Sequence, residues 1–171
     1  MSSERVKSVY RLRLYPDAVL RKKSLPLDDV NGAVRDLMAG MAEIMYTYNG
    51  IGLAAPQVGM LQRIIIADVG EGLITLANPE ILQKEGEGRL EEGCLSLPDI
   101  QVDITRSQSI FVRGLNPEGK EVQHELSDLM ARVIQHEIDH LNGVLIIDYA
   151  SATEKILLRR QLKELQKQEE S

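Results

Sequence analysis

A chain of 171 residues, 43% hydrophobic and 27% charged, is long enough to bury a substantial core and reads as one soluble globular domain over 1–171. A net charge of −6, from 20 basic against 26 acidic residues, argues against sequence-specific nucleic acid as a direct partner. The single cysteine, Cys94, excludes an intrachain disulfide, there is no apolar run of membrane-spanning length, and MSSERVKSVYRLRLYP lacks the apolar stretch of a signal peptide, so a reducing, cytoplasmic setting is expected.

Residues 30–47 place Val34, Leu37, Met38, Met41, Ile44 and Met45 at helical spacing, which predicts a core-facing helix. A glycine-rich loop, NGIGLAAPQVG, follows, and then a β-branched run at 63–69 that predicts a strand. Further strands are expected at 73–82, 100–106, 109–115 and 121–126, with NPEGK as the turn before the last. A helix is expected over about 127–141, with Ser127 as N-cap and Gly143 as its stop. A second begins at Ser151, where Ser151 and Glu154 form a capping-box pattern, and runs to about 168 with Ile156, Leu157, Leu158, Leu162 and Leu165 apolar. Strands grouped apart from helices point to an α+β fold.

The helix at 127–141 carries QHEIDHLNG. At about 100° per residue, Leu126, Leu129 and Val133 share one sector, and His136, Glu137 and His140 fall in or beside it. Asp128, Arg132, Gln135 and Asp139 fall on the opposite side, expected to face water. Polar residues on a buried stripe need partners. Histidines one turn apart can both reach a single ion, with the intervening glutamate as general base, as in the H-E-x-x-H signature of zinc hydrolases. A pair of core histidines bonded to backbone or carboxylates is the simpler alternative.

A catalytic site of this kind normally takes a third protein ligand. Asp148, Glu154 and Glu164 stand downstream; upstream, Cys94 stands in EEGCLSLP between two strands and offers a soft sulfur, although a single cysteine is also an ordinary small core residue. His124 falls on a strand expected to be exposed. GIGLAA fits a dinucleotide fingerprint only formally, because a helix precedes it and Pro56 follows. Gln57, at the end of that loop, can offer an amide to a developing oxyanion or simply bond its own turn.

GIGLAAPQ (50–57), EGCLSLP (92–98) and QHEIDHLNG (135–143), in this order and spacing, resemble the three motifs of the peptide deformylases, and the lack of insertions and the helical C-terminus resemble the bacterial type 1 subgroup. The resemblance implies antiparallel sheets packed around a central metal-binding H-E-x-x-H helix, with a C-terminal helix. It implies hydrolytic removal of the formyl group from the N-terminal formyl-methionine of new polypeptides. Cys94, His136 and His140 would be metal ligands and Glu137 the general acid/base; Gln57 and the Leu95 N–H would form the oxyanion hole. Ile51, Leu129 and Val133 would line the methionine pocket, with Gly52 and Gly93 offering backbone to the peptide. One divalent ion is implied, Fe²⁺ in the cell, with Zn²⁺, Ni²⁺ or Co²⁺ able to replace it. Glu92 and Arg106 are expected to pair behind the ligands. Asn49 and Gln101 depart from the commonest pattern, which bears on peptide preference beyond methionine. The last helix, with its apolar stripe, is expected by default to pack on the domain; in this subgroup it also looks like a ribosome-docking element.

Overall fold

The computed structural model describes residues 9–170, the side chains of 169 and 170 excepted. Part of the segment without a signal-like stretch thus lies outside the described residues. Helix α1 (Gly32–Thr47) starts where Asn31 turns its side chain back to accept from the Val34 amide at 3.0 Å. The six apolar residues spaced every three or four positions are all buried. The stretch after α1, expected as loop, instead contains a short strand, β1 (Gly52–Ala54), and a 3-10 turn at Ala55–Val58.

Strand β2 (Ile64–Ala67) pairs antiparallel with β1 and with β3 (Ile74–Glu85). Ile64 and Ile66 pack with the α1 cluster, whereas Ile65 and Ala67 pack into the cluster of the next helix. Burial on both faces explains why this strand reads as an unbroken apolar run. Strand β4 (Gly88–Cys94) pairs with β5 (Leu97–Arg106) as a separate two-stranded hairpin, while β6 (Ser109–Leu115) and β7 (Glu121–Ser127) complete a five-stranded sheet of order β1-β2-β3-β6-β7. The sequence reading has no β4, and the reason is its pattern: Leu90 is exposed and Glu92 buried, the reverse of an amphipathic strand. Cys94 is therefore the last residue of a strand rather than a linker between two. β5 alternates regularly, sending Ile100, Val102, Ile104 and Arg106 inward.

Helix α2 (Asp128–Leu141) lies against β1 and β2. Ser127 stands at its N-cap position, but its side chain makes no capping bond. At the other end Gly143 (φ +73°) donates to the His140 carbonyl at 3.2 Å and Val144 donates to the Asp139 carbonyl at 3.0 Å, a Schellman closure of the turn that carries His140. Helix α3 (Ala152–Glu170) opens on the expected box: the Ser151 amide donates to Glu154 Oε1 and the Glu154 amide to Ser151 Oγ, both at 3.1 Å. Leu158 and Leu165 are buried against the β5 cluster, but Ile156 and Leu157 of the expected stripe face outward. Together the described residues form an α+β fold of antiparallel sheets and three α-helices, and no helix among them is long and apolar enough to cross a membrane.

The expected water-facing side of α2 needs correction. Asp128 is exposed, but Arg132 and Gln135 are buried and Asp139 is half-buried. The β4–β5 hairpin covers this second side. Gln135 Nε2 donates to the Ser107 carbonyl and its Oε1 accepts from the Ser107 amide. Arg132 donates to Glu92 and to the Ile104 and Gly88 carbonyls. His124, expected on an exposed strand, is half-buried on the inner side of β7 beside Val122 and Leu126.

Candidate metal centre and cleft

Three atoms from two elements converge. Cys94 arrives at the end of β4, where the tight Leu95–Ser96 turn into β5 sets its direction; His136 and His140 arrive one turn apart on α2. His140 Nε2 lies 3.4 Å from Cys94 Sγ and 3.2 Å from His136 Nε2. One ligand atom from each of the three residues falls within 4.8 Å of the others. Both histidines are buried and Cys94 is half-buried. Sulfur with two imidazoles suits a borderline-soft divalent cation. The residues therefore fit such an ion.

Burial opposes a proton on His136, but Glu137, Cys94 and Glu92 outweigh it and hold this imidazole well above the ordinary histidine value. Burial, the neighbouring His136 charge and Arg106 push His140 well below it.

Behind His136 stands a carboxylate it does not share with solvent. Its Nδ1 meets Glu92 Oε1 at 2.9 Å, which leaves Nε2 to face Cys94 and His140. Glu92 also accepts from Arg106 Nε at 2.7 Å and Nη2 at 3.0 Å and from Arg132 Nη1 at 2.6 Å. Burial by itself would raise the Glu92 carboxyl, yet His136 and Arg106 pull it down to about 2. The expected Glu92–Arg106 pair is present and is buried rather than a surface ion pair. It continues to Asp139, which accepts from Arg106 Nη1 at 2.9 Å. By contrast, Nδ1 of His140 has no partner among the described residues.

Glu137 is buried at the cleft, with Oε1 meeting no hydrogen-bond partner among the described residues. Burial pushes its carboxyl up to about 7, against the pull of His136 and Arg106. Gln57 is buried too: Oε1 accepts from the Ala54 amide and Nε2 donates to Ser96 Oγ, both at 3.0 Å, which leaves the amide nitrogen 3.7 Å from Cys94 Sγ. Ser96 thereby fixes which way that amide is turned. The sequence reading passed over it, although it sits inside EGCLSLP.

The cleft these groups share measures about 420 Å³. Its lining holds Ile51, Gly52, Gln57, Gly93, Cys94, Leu95, Leu129, Val133, His136 and Glu137. His140 is absent from the lining, being covered behind the other two donors. Ile51 and Leu129 remain 43% and 44% exposed, because they face the open cleft rather than the core. Asn49 lines the cleft and Gln101 does not. Leu90 and Arg132 line it as well and were missed, the first because β4 was missed, the second because α2 was read as covered on one side only. Gly52 is required by space: a Cβ there would meet Glu137 Oε2 and lie 2.6 Å from Val133 Cγ1.

A soft donor triad beside a buried carboxyl, opening on a largely apolar cleft, is the arrangement of a hydrolytic metalloenzyme. The sequence profile of the polypeptide deformylase family matches residues 9–156. The peptide deformylase of Thermodesulfovibrio yellowstonii is 45% identical over 161 residues, covering 91% of this chain and 98% of that protein; that of Thermotoga neapolitana is 48% identical over 160 residues, covering 93% and 98%. Among solved structures, peptide deformylase from Thermotoga maritima superposes with a TM-score of 0.81 at 49% identity, covering 83% of this chain and 97% of that one. The Ehrlichia chaffeensis peptide deformylase in complex with actinonin superposes at 0.89 with 33% identity, covering 96% and 99%. The chain belongs to the peptide deformylase family, enzymes that remove the formyl group from nascent peptides.

Proposed function

We propose that residues 1–171 form one catalytic unit in which Cys94, His136 and His140 hold a single divalent ion and Glu137 moves the proton. On this reading α2 is the central metal-binding helix of the fold. The convergence of Sγ and two Nε2 atoms beside the partnerless Oε1 of Glu137 carries the proposal. A divalent ion held there supplies a Lewis acid and makes water more acidic.

The chain's own residues do the rest. The formyl-methionyl end enters the cleft with its side chain among Ile51, Leu129 and Val133, and Gly52 and Gly93 let its backbone approach. Glu137 takes one proton from water as its oxygen adds to the formyl carbon. A carboxyl near neutrality in the folded protein can accept that proton and give it up again. Gln57 Nε2 and the Leu95 N–H donate to the oxygen that gains charge. Glu137 then returns the proton to the amine as the C–N bond breaks, which releases formate and a peptide with a free N-terminal methionine. His136 keeps its orientation through Glu92.

In the cell the ion is Fe²⁺, with Zn²⁺, Ni²⁺ or Co²⁺ able to occupy the same donors. The setting is cytoplasmic, where a thiolate ligand stays reduced. α3 docks the enzyme to the ribosome, and truncation from Leu158 should weaken ribosome association while sparing small-peptide turnover. The decisive experiment is deformylation of a formyl-Met peptide by anaerobically purified protein, with elemental analysis of its metal. Cys94→Ala and His136→Ala should lose metal and activity together; Glu137→Ala should keep metal and lose turnover. Full activity and metal content in Cys94→Ala would sink the ligand assignment.

A further inference from the structure

The buried pair of Glu92 and Arg106 has an outer end that the mechanism above does not use. Tyr149 ends a 3-10 turn at Ile146–Tyr149, which Ile146 and Ile147 anchor in the β5 core. Its hydroxyl donates to Asp139 Oδ2 at 2.6 Å. The same oxygen accepts from Arg106 Nη1 at 2.9 Å, Arg106 grips Glu92 through two nitrogens, and Glu92 Oε1 meets His136 Nδ1 at 2.9 Å. An unbroken series of polar contacts thus joins a partly exposed phenol to the imidazole that faces Cys94. Tyr149 acts twice in it, since its ring also packs against the Arg106 guanidinium, 5.1 Å from Cζ to centroid.

Asp139 is the loose link. Its side chain is 23% exposed, against 5% for Arg106 and 6% for Glu92, so it alone can turn out to water. If it did, the buried Nη1 of Arg106 would lose its acceptor and the guanidinium would shift on Glu92. The Tyr149 hydroxyl, from a seat outside α2, donates to the same oxygen and so opposes that rotation.

We propose that Tyr149 is a positioning residue for His136: its hydroxyl pins Asp139, Asp139 and Glu92 hold Arg106 between them, and Glu92 keeps the His136 Nδ1–H donated so that Nε2 faces Cys94 and His140. The inference rests on the reading of His136 as a metal ligand. A plain staple between the 3-10 turn and α2 would stabilise the fold and leave His136 alone, and the two can be separated.

Tyr149→Phe keeps the ring and deletes only the hydroxyl, and Tyr149→Leu deletes both. Each variant, reloaded with zinc, is compared with wild type in three measurements: kcat and KM on a formyl-Met peptide, the rate of zinc loss to excess chelator, and the ¹⁵N signal of His136 Nδ1 in the zinc-loaded protein, which reports its hydrogen bond to Glu92. Tyr149→Phe should lower kcat by about 3- to 10-fold at unchanged KM and speed zinc loss by a similar factor, less than the roughly 10- to 100-fold typical of a direct partner of a ligand. The His136 Nδ1 signal should shift as its bond to Glu92 weakens, and Tyr149→Leu should move all three further. Wild-type values in all three, with only a lower melting temperature, would overturn the inference in favour of the staple. A wild type that neither retains zinc nor deformylates would overturn the metal-centre reading itself, and this inference with it.

Discussion

Glu92 and His136 lie 44 positions apart in the chain and meet at 2.9 Å inside the protein. This contact joins β4, which ends in Cys94, to the helix that carries both histidines. The carboxylate accepts from two guanidiniums and one imidazole at once. Removing it would strand two buried arginines. Glu92→Ala is expected to cost about 3–5 kcal/mol of stability, the usual cost of breaking a buried pair. Urea denaturation of the metal-free protein would measure it; a cost below about 1 kcal/mol, the scale of a surface pair, would contradict the buried network.

Gly52 should tolerate no side chain. A methyl group there meets Glu137 Oε2 and Val133 Cγ1 on the helix face that borders the cleft. Gly52→Ala should keep the fold and lose activity by at least about 100-fold, as expected when a catalytic group is displaced by roughly 1 Å. Circular dichroism with a deformylation assay checks both halves, and an active Gly52→Ala enzyme would refute the crowding.

Gly143 is needed for a different reason. Its φ of +73° is left-handed, and a Cβ would stand 2.5 Å from the Arg21 carbonyl oxygen. Gly143→Ala should therefore destabilise by about 1–3 kcal/mol, combining left-handed strain with a backbone clash. The lost stability should appear in the denaturation midpoint at unchanged slope.

Tyr149 gives the protein a specific alkaline limit. Burial first, and then the hydrogen bond to Asp139, push its phenol up to about 12 from the ordinary tyrosine value of 10.0. A group raised on folding contributes stability that is full below its unfolded value and is lost as pH rises through the folded one. The loss should therefore fall between pH 10.0 and about 12. Ultraviolet titration of the five tyrosines should show a late tyrosinate phase that Tyr149→Phe removes; an identical curve for the variant would disprove it.

Much of this architecture is legible in local pattern. The six spaced apolar residues of α1, the alternation of β5, the Ser151–Glu154 box and the Gly143 stop each depend on neighbours within about one or two turns, so periodicity and capping rules reach them. β4 escaped because its exposed Leu90 and buried Glu92 invert the usual strand pattern, and Arg132 and Gln135 escaped because a helical wheel assumes one covered side. Ser96 escaped because its role depends on Gln57, which lies 39 positions away.

The sequence by itself determined the membership of three motifs, the one-turn spacing of His136 and His140 on one helical face, the box that starts α3 and the glycine that stops α2. These follow from bond geometry and side-chain type, which act over a few residues. Only the tertiary structure decided that Cys94 Sγ reaches His140 Nε2, that Glu92 rather than solvent meets His136 Nδ1, and that a hairpin buries the second side of α2. Those contacts join residues about 30 to 50 positions apart, and burial turns each from an optional pairing into a required one, because a polar group out of water must find a partner.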